Sequence, residues 1–244
     1  MNVKVNDSFE ESSLAAADLI IETVKEKPDS MICFAAGSTP IRTFEILINK
    51  SKSSLIDFSN CTFVGLDEWI GMDKNDKGSC QETLYTSLFV PLNISSQNIH
   101  FFNTKSSNLR VECKKIDQII ANNGNIDLML LGIGQNGHLG FNEPGVSFDS
   151  FSHVVNLSEV TKTVGQKYFE GSRELSMGIT LGIRHILDAK CLIVLASGIK
   201  KNKAVYEMVH GKITNEWPVS ILQTHKNCQA FLDKEAACLL NEAQ

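Results

Sequence analysis

The chain lacks the signals that would put it in a membrane, on a nucleic acid or in a disulfide framework. Its 244 residues hold no apolar run near the ~18–20 residues that span a bilayer. Its start, Met1-Asn2-Val3-Lys4-Val5, shows no basic segment followed by an apolar one. The expected compartment is the cytoplasm, with no membrane partner. Positive charge is in deficit: 23 Lys and Arg stand against 28 Asp and Glu, a formal net charge of −5. That balance argues against nucleic-acid binding by counterion release, yet leaves room for a locally positive pocket holding a small anion. The cysteines (Cys33, Cys61, Cys80, Cys113, Cys191, Cys228 and Cys238) are odd in number, scattered, and never spaced Cys-x-x-Cys. They read as buried free thiols in a reducing compartment, and no clustered ligand set suggests a metal. Linkers, repeats and low-complexity tracts are also missing, so residues 1–244 are expected to form one domain.

What the chain does have is alternation. With 43% hydrophobic and 21% charged residues it can bury a sizeable core. Residues 8–25 read as an amphipathic helix with Phe9, Leu14, Ala17, Ile20, Ile21 and Val24 on one side. Short apolar runs at 30–36, 61–66, 98–102, 126–132, 191–196 and 227–232 read as strands. Helical patterns at 41–49, 80–89, 111–122, 179–187 and 202–210 lie between them. The rhythm predicts an α/β fold: a doubly wound, mostly parallel, Rossmann-like sheet with helices on both faces. Ligands in such folds sit beyond the carboxyl ends of the strands, and the main polar motifs follow predicted strands.

Four motifs carry chemistry. Gly37-Ser38-Thr39-Pro40 ends an apolar run and opens a helix, so its free N–H groups and hydroxyls suit a phosphate; an ordinary helix cap looks the same. This turn is neither a Walker A loop nor a dinucleotide fingerprint. In Leu66-Asp67-Glu68-Trp69 the two carboxylates of an extended segment point to opposite faces, so one can line a pocket. Asp67 is then a candidate general base, with partial burial raising its pKa; the bland alternative is an acidic loop start. The segment Gly132-Ile-Gly-Gln-Asn-Gly-His-Leu-Gly-Phe-Asn-Glu-Pro-Gly145 places Asn136, His138 and Glu143 in a glycine-rich loop after a buried strand. There His138 can exchange a proton while Glu143 orients it. A metal would need at least three convergent ligands, and one His with one Glu is a thin set. Finally, the lysines of Ser197-Gly-Ile-Lys-Lys-Asn-Lys203, and Lys167 in Gly165-Gln-Lys-Tyr-Phe169, could pair with phosphate as point charges or form a solvated basic face.

Together these motifs resemble the glucosamine-6-phosphate deaminase (isomerase) family, whose broader group holds the 6-phosphogluconolactonases. The resemblance runs from about Ala35 to Leu232 and is most specific over Leu131–Gly145. Leu66–Trp69, Gly178-Ile-Thr-Leu-Gly182 with Ile186-Leu-Asp-Ala189, and Glu216-Trp-Pro-Val-Ser220 match in order and spacing. It implies a cofactor-independent enzyme on a small sugar phosphate, monomeric or homo-oligomeric. Asp67 would be the base between C2 and C1. His138 would open the ring, supported by Glu143 and Asn136. Gly37, Ser38, Thr39 and Lys201 would hold the phosphate, with Lys167 as a further contact. The implied reaction converts glucosamine 6-phosphate to fructose 6-phosphate and ammonia.

The chain departs from the family pattern in places. Asn136 stands where many members carry Asp, and Lys167 where some carry Arg, losing bidentate phosphate geometry. His153, Val155 and Asn156 stand where regulated members need cations, so the resemblance does not extend to allosteric activation. Asp67–Met72 with Gly78-Ser-Cys-Gln-Glu82 also resembles a galactosamine-6-phosphate branch, which keeps the C4 epimer, and tagatose 6-phosphate as its product, as an alternative. Lactone hydrolysis and a non-catalytic sugar-phosphate sensor are further alternatives. Phe141–Gly145 speaks against the first, and the want of a helix-turn-helix extension against the second.

Overall fold

The computed structural model describes residues 1–240. Seven strands form one all-parallel sheet: β1 (Asn2–Asn6), β2 (Met31–Phe34), β3 (Thr62–Gly65), β5 (Ile99–His100), β6 (Leu128–Gly132), β9 (Cys191–Ala196) and β10 (Cys228–Asp233), in the order β1-β10-β9-β6-β2-β3-β5. The uniformly apolar runs Met31–Phe34 and Cys191–Ala196 are buried throughout, as strands covered on both faces must be. Separate apolar clusters pack around the sheet, one on Met129, Leu131 and Val194, the other on Leu128, Leu130 and Ile193. Successive residues of β6 and β9 thus point to opposite faces.

Helices α1 (Phe9–Glu26), α2 (Ile41–Lys52) and α4 (Leu109–Asn122) come where the periodicity predicts helices. The Ser8 hydroxyl caps α1 by accepting the Glu11 N–H at 3.2 Å. Leu14 does not belong to the buried face. It is exposed, and Ser12, Ser13 and Ala16 take the inward positions with Ala17, Ile20, Ile21 and Val24. The pattern at 80–89 is a short α3 (Cys80–Leu84) that widens into a π-turn over Tyr85–Phe89.

A second, three-stranded antiparallel sheet goes beyond the sequence expectation. It joins β4 (Asp67–Trp69), β8 (Met177–Thr180) and β7 (His153–Asn156) in the order β4-β8-β7. Residues 179–187 are accordingly not one helix. Strand β8 runs to Thr180, Gly182 is extended against the Ser150 and Phe151 carbonyls, and α6 starts at Ile183 and ends at Asp188. Helix α5 (Glu159–Gly165) and α7 (Asn202–Val209) complete the set, and the edge strand β1 was likewise not anticipated.

The order of the main sheet fixes where a ligand can enter. From β2 the chain builds outward through β3 and β5, and from β6 it builds the other way through β9 and β10. The switch lies between β2 and β6, and the Gly37 turn and the Gly132–Gly145 loop leave from the carboxyl ends of those two strands.

Candidate active site

At that switch point lies a cavity of about 770 Å³. Gly37, Ser38, Thr39, Asp67, His138, Lys167 and Lys201 all line it, so residues spread over 165 positions of sequence meet at one place. Asn136 and Glu143 do not line it and sit behind His138.

The cationic end of the cavity is made of β2's exit. Gly37 takes a left-handed φ of +97°, which turns the chain into α2 with no side-chain cap on the helix start. Helix α2 therefore presents unused N–H groups beside the Ser38 and Thr39 hydroxyls. Two cations approach. Lys167 Nζ donates to Ser38 Oγ at 3.2 Å, and Lys201 Nζ donates to the Ile133 carbonyl at 2.6 Å. Burial, and then the charge of Lys167, pull the Lys201 ammonium down to about 8. An anion between the two lysines would relieve both effects.

Asp67 heads β4, where its backbone pairs with Thr180. The next carboxylate points the other way, as an extended segment requires. Glu68 is fully buried and accepts N–H groups from Trp69 at 2.9 Å, Cys80 at 3.0 Å and Gln81 at 2.8 Å, so it caps the start of α3. Burial still lifts the Glu68 carboxyl to about 7 against those donors. Glu68 is thus a structural cap, and Asp67 is the carboxylate in the cavity. Burial raises Asp67 to about 6, opposed by Cys80 and His138. Gly140, at φ +59°, leaves room for it: a Cβ there would stand 3.2 Å from Asp67 Oδ2 and 2.9 Å from Thr180 Oγ1.

The Gly132–Gly145 loop presents His138 and supports it from behind. Gly132, Gly134 and Gly137 have the spacing of a dinucleotide fingerprint, but no helix opens after them, so no helix N-terminus faces a pyrophosphate here. Gly134 serves another purpose: the His138 ring lies where its Cβ would be. His138 Nδ1 is 3.0 Å from Thr161 Oγ1 and 3.5 Å from Glu143 Oε2. Among the described residues the other ring nitrogen, Nε2, has no hydrogen-bond partner. Glu143 is held on two sides, by Asn136 Nδ2 at 2.9 Å and the Ser158 N–H at 3.1 Å. Burial would raise its carboxyl, but His138, Thr161 and Ser158 outweigh that and hold it at about 2. Asn136 makes no hydrogen bond to the imidazole among the described residues. It steadies Glu143 and, through Oδ1, accepts the His138 backbone N–H at 3.3 Å. The remaining loop residues are anchors. Buried Asn142 donates to the Leu139 and Leu181 carbonyls, both at 2.8 Å, and Phe141 packs on Trp69 with ring centroids 4.6 Å apart.

Sequence reasoning missed Thr161 and Ser158. Both belong to the start of α5, where Ser158 is the N-cap, and the Ser-x-x-Thr pattern there looks like any helix start.

Residues 7–231 match the family of glucosamine-6-phosphate isomerases and 6-phosphogluconolactonase. The chain belongs to that family. A glucosamine-6-phosphate deaminase of Clostridium botulinum (strain Kyoto / Type A2) is 40% identical over 242 residues, 99% of each chain. One from Halalkalibacterium halodurans is 38% identical over 229 residues, 93% of each. Among solved structures, a monomeric glucosamine-6-phosphate deaminase matches with TM-score 0.95 and 36% identity, over 98% of this chain and 100% of that one. The 6-phosphogluconolactonase of Leishmania guyanensis, at 21% identity and TM-score 0.78 over 96% and 97% of the two chains, shares the family fold.

Proposed function

We propose that this protein deaminates glucosamine 6-phosphate, with Asp67 as the base that carries the proton from C2 to C1. The observation that carries the reading is the placement of a buried carboxyl near 6 in the same cavity as a carboxylate-backed histidine and two lysines. A base with a pKa just under neutrality is ionised at work yet still basic enough to take a carbon-bound proton.

In this reading the phosphate rests on the Gly37–Thr39 turn between Lys201 and Lys167. The sugar reaches across the cavity towards Asp67. His138 moves a proton from O1 to the ring oxygen O5, which breaks the C1–O5 bond and leaves an open-chain aldehyde. Glu143, steadied by Asn136, supports the charged imidazole between the two transfers. The C2 proton, now α to the aldehyde, passes to Asp67 while O1 takes up a proton given by the substrate's own ammonium group, which leaves an enolamine. Asp67 returns it to C1, giving a C1 alcohol and an imine at C2. Water adds at C2, ammonia departs, and fructose 6-phosphate remains. Proton transfers, a ring opening, a hydration and the loss of ammonia make up the whole scheme, with no change of oxidation state overall, so it calls for no cofactor.

The site draws on residues from Gly37 to Lys201, which supports a single domain over 1–244, and the monomeric relative supports a monomer as the working unit. The free cysteines, six of them buried, support a reducing cytoplasm. A coupled ammonia assay on glucosamine 6-phosphate, galactosamine 6-phosphate and 6-phosphogluconolactone tests the reading. Ammonia with fructose 6-phosphate from the first is the expected result. Preference for the second would reassign the epimer, and turnover of the lactone alone would overturn deamination.

A further inference from the structure

We propose that the Tyr168 hydroxyl is a further donor to the substrate phosphate, which rests on the reading that the cavity takes a sugar 6-phosphate. Tyr168 ends the short 3-10 turn Gln166–Tyr168 that follows α5, and it lines the cavity. Its phenol oxygen lies over the Gly37 backbone, 2.8 Å from where a Cβ would be, so the glycine provides the space that the hydroxyl fills. The Lys167 ammonium lies over the ring, 4.8 Å from its centroid, and the same ammonium reaches Ser38 Oγ. Tyr168 Oη has no hydrogen-bond partner among the described residues. Its proton therefore points to water or to a ligand in the space framed by Ser38, Thr39, Lys167 and Lys201. A phosphate dianion only accepts hydrogen bonds there, and a phenol O–H is a neutral donor that adds directionality the two lysine point charges lack.

Tyr168→Phe removes the oxygen and keeps the ring, the lysine contact and the packing. A hydrogen bond to a charged group at a part-open site is worth about a tenfold change in affinity. The expected result is a KM for the sugar phosphate raised about tenfold with kcat within about twofold, and an equal loss of affinity for inorganic phosphate followed by 31P NMR titration. Phosphate affinity within twofold of wild type would overturn the proposal, as would a fall in kcat at unchanged KM. The phosphate titration does not depend on turnover. If wild type released no ammonia while Tyr168→Phe still lost phosphate affinity, the amino-sugar reading would fail and the Tyr168 assignment would stand.

Discussion

Asp67→Asn should inactivate the protein and stabilise it, and the stabilisation should depend on pH. The carboxyl is buried and stands at about 6 when folded, against an ordinary value of 3.8. A group raised on folding supports the folded state while it is protonated and works against it as it ionises. At pH 7–8 the unfolded chain carries an ionised Asp67 in water and the folded chain must bury that charge. The difference of about two pKa units corresponds to ~3 kcal/mol against folding above pH 6, fading to nothing below pH 4. An amide of the same shape carries no charge to desolvate. For a chain of this size ~3 kcal/mol is about 6–12 °C in melting temperature. Thermal unfolding followed by circular dichroism at pH 8 and pH 4 reads it directly. The variant should melt several degrees above wild type at pH 8 and level with it at pH 4. Equal melting at both values, or a lower value at pH 8, would refute a desolvated carboxyl at this position.

Other perturbations have equally definite signs. Glu143 is depressed to about 2 from 4.5, so it stabilises the fold above pH 4.5 and loses that contribution as pH falls towards 2. Glu143→Gln should cost about 2–3 kcal/mol at pH 7, with the gap to wild type narrowing in acid; a constant gap across pH would contradict the assignment. Because Lys201 titrates at about 8, kcat/KM should fall above that pH as the ammonium is lost. Lys201→Arg should remove that basic limb, and an unmoved limb would assign it elsewhere. Gly134→Ala drives a methyl into the His138 ring. About 10²-fold should be lost from kcat while phosphate affinity holds; wild-type turnover would show that the ring's position does not matter.

Local pattern and periodicity located most of the parallel sheet, because strands such as Leu128–Gly132 and Cys191–Ala196 are buried on both faces and leave nothing polar to confuse the pattern. The second sheet escaped notice for the opposite reason. Its strands are three or four residues long, and His153–Asn156 is only half-buried, too short and too mixed to show a period of two. Gly182, extended where the Ser150 and Phe151 carbonyls leave no room for a Cβ, separates β8 from α6, while in the sequence the apolar residues on either side of it read as one helix. At the site, residue type and spacing singled out Asp67, His138 and Glu143, since carboxylate and imidazole groups are distinctive beside glycine turns, while Lys201 was picked from its basic run only through the family resemblance. The alternation of an extended segment anticipated that Asp67 and Glu68 would part. Spacing could not show which residues stand behind His138. Asn136 looks like an imidazole partner in sequence, but in the structure it holds Glu143, and the contact to Nδ1 comes from Thr161, 23 residues on.

The most direct test is the rate of ammonia release from glucosamine 6-phosphate by wild type and by Asp67→Asn, each paired with its affinity for inorganic phosphate. The account predicts ammonia and fructose 6-phosphate in equal amounts from wild type. It predicts a fall in kcat of about 10²–10⁴-fold in the variant, with phosphate affinity unchanged. Undiminished turnover by Asp67→Asn would contradict it.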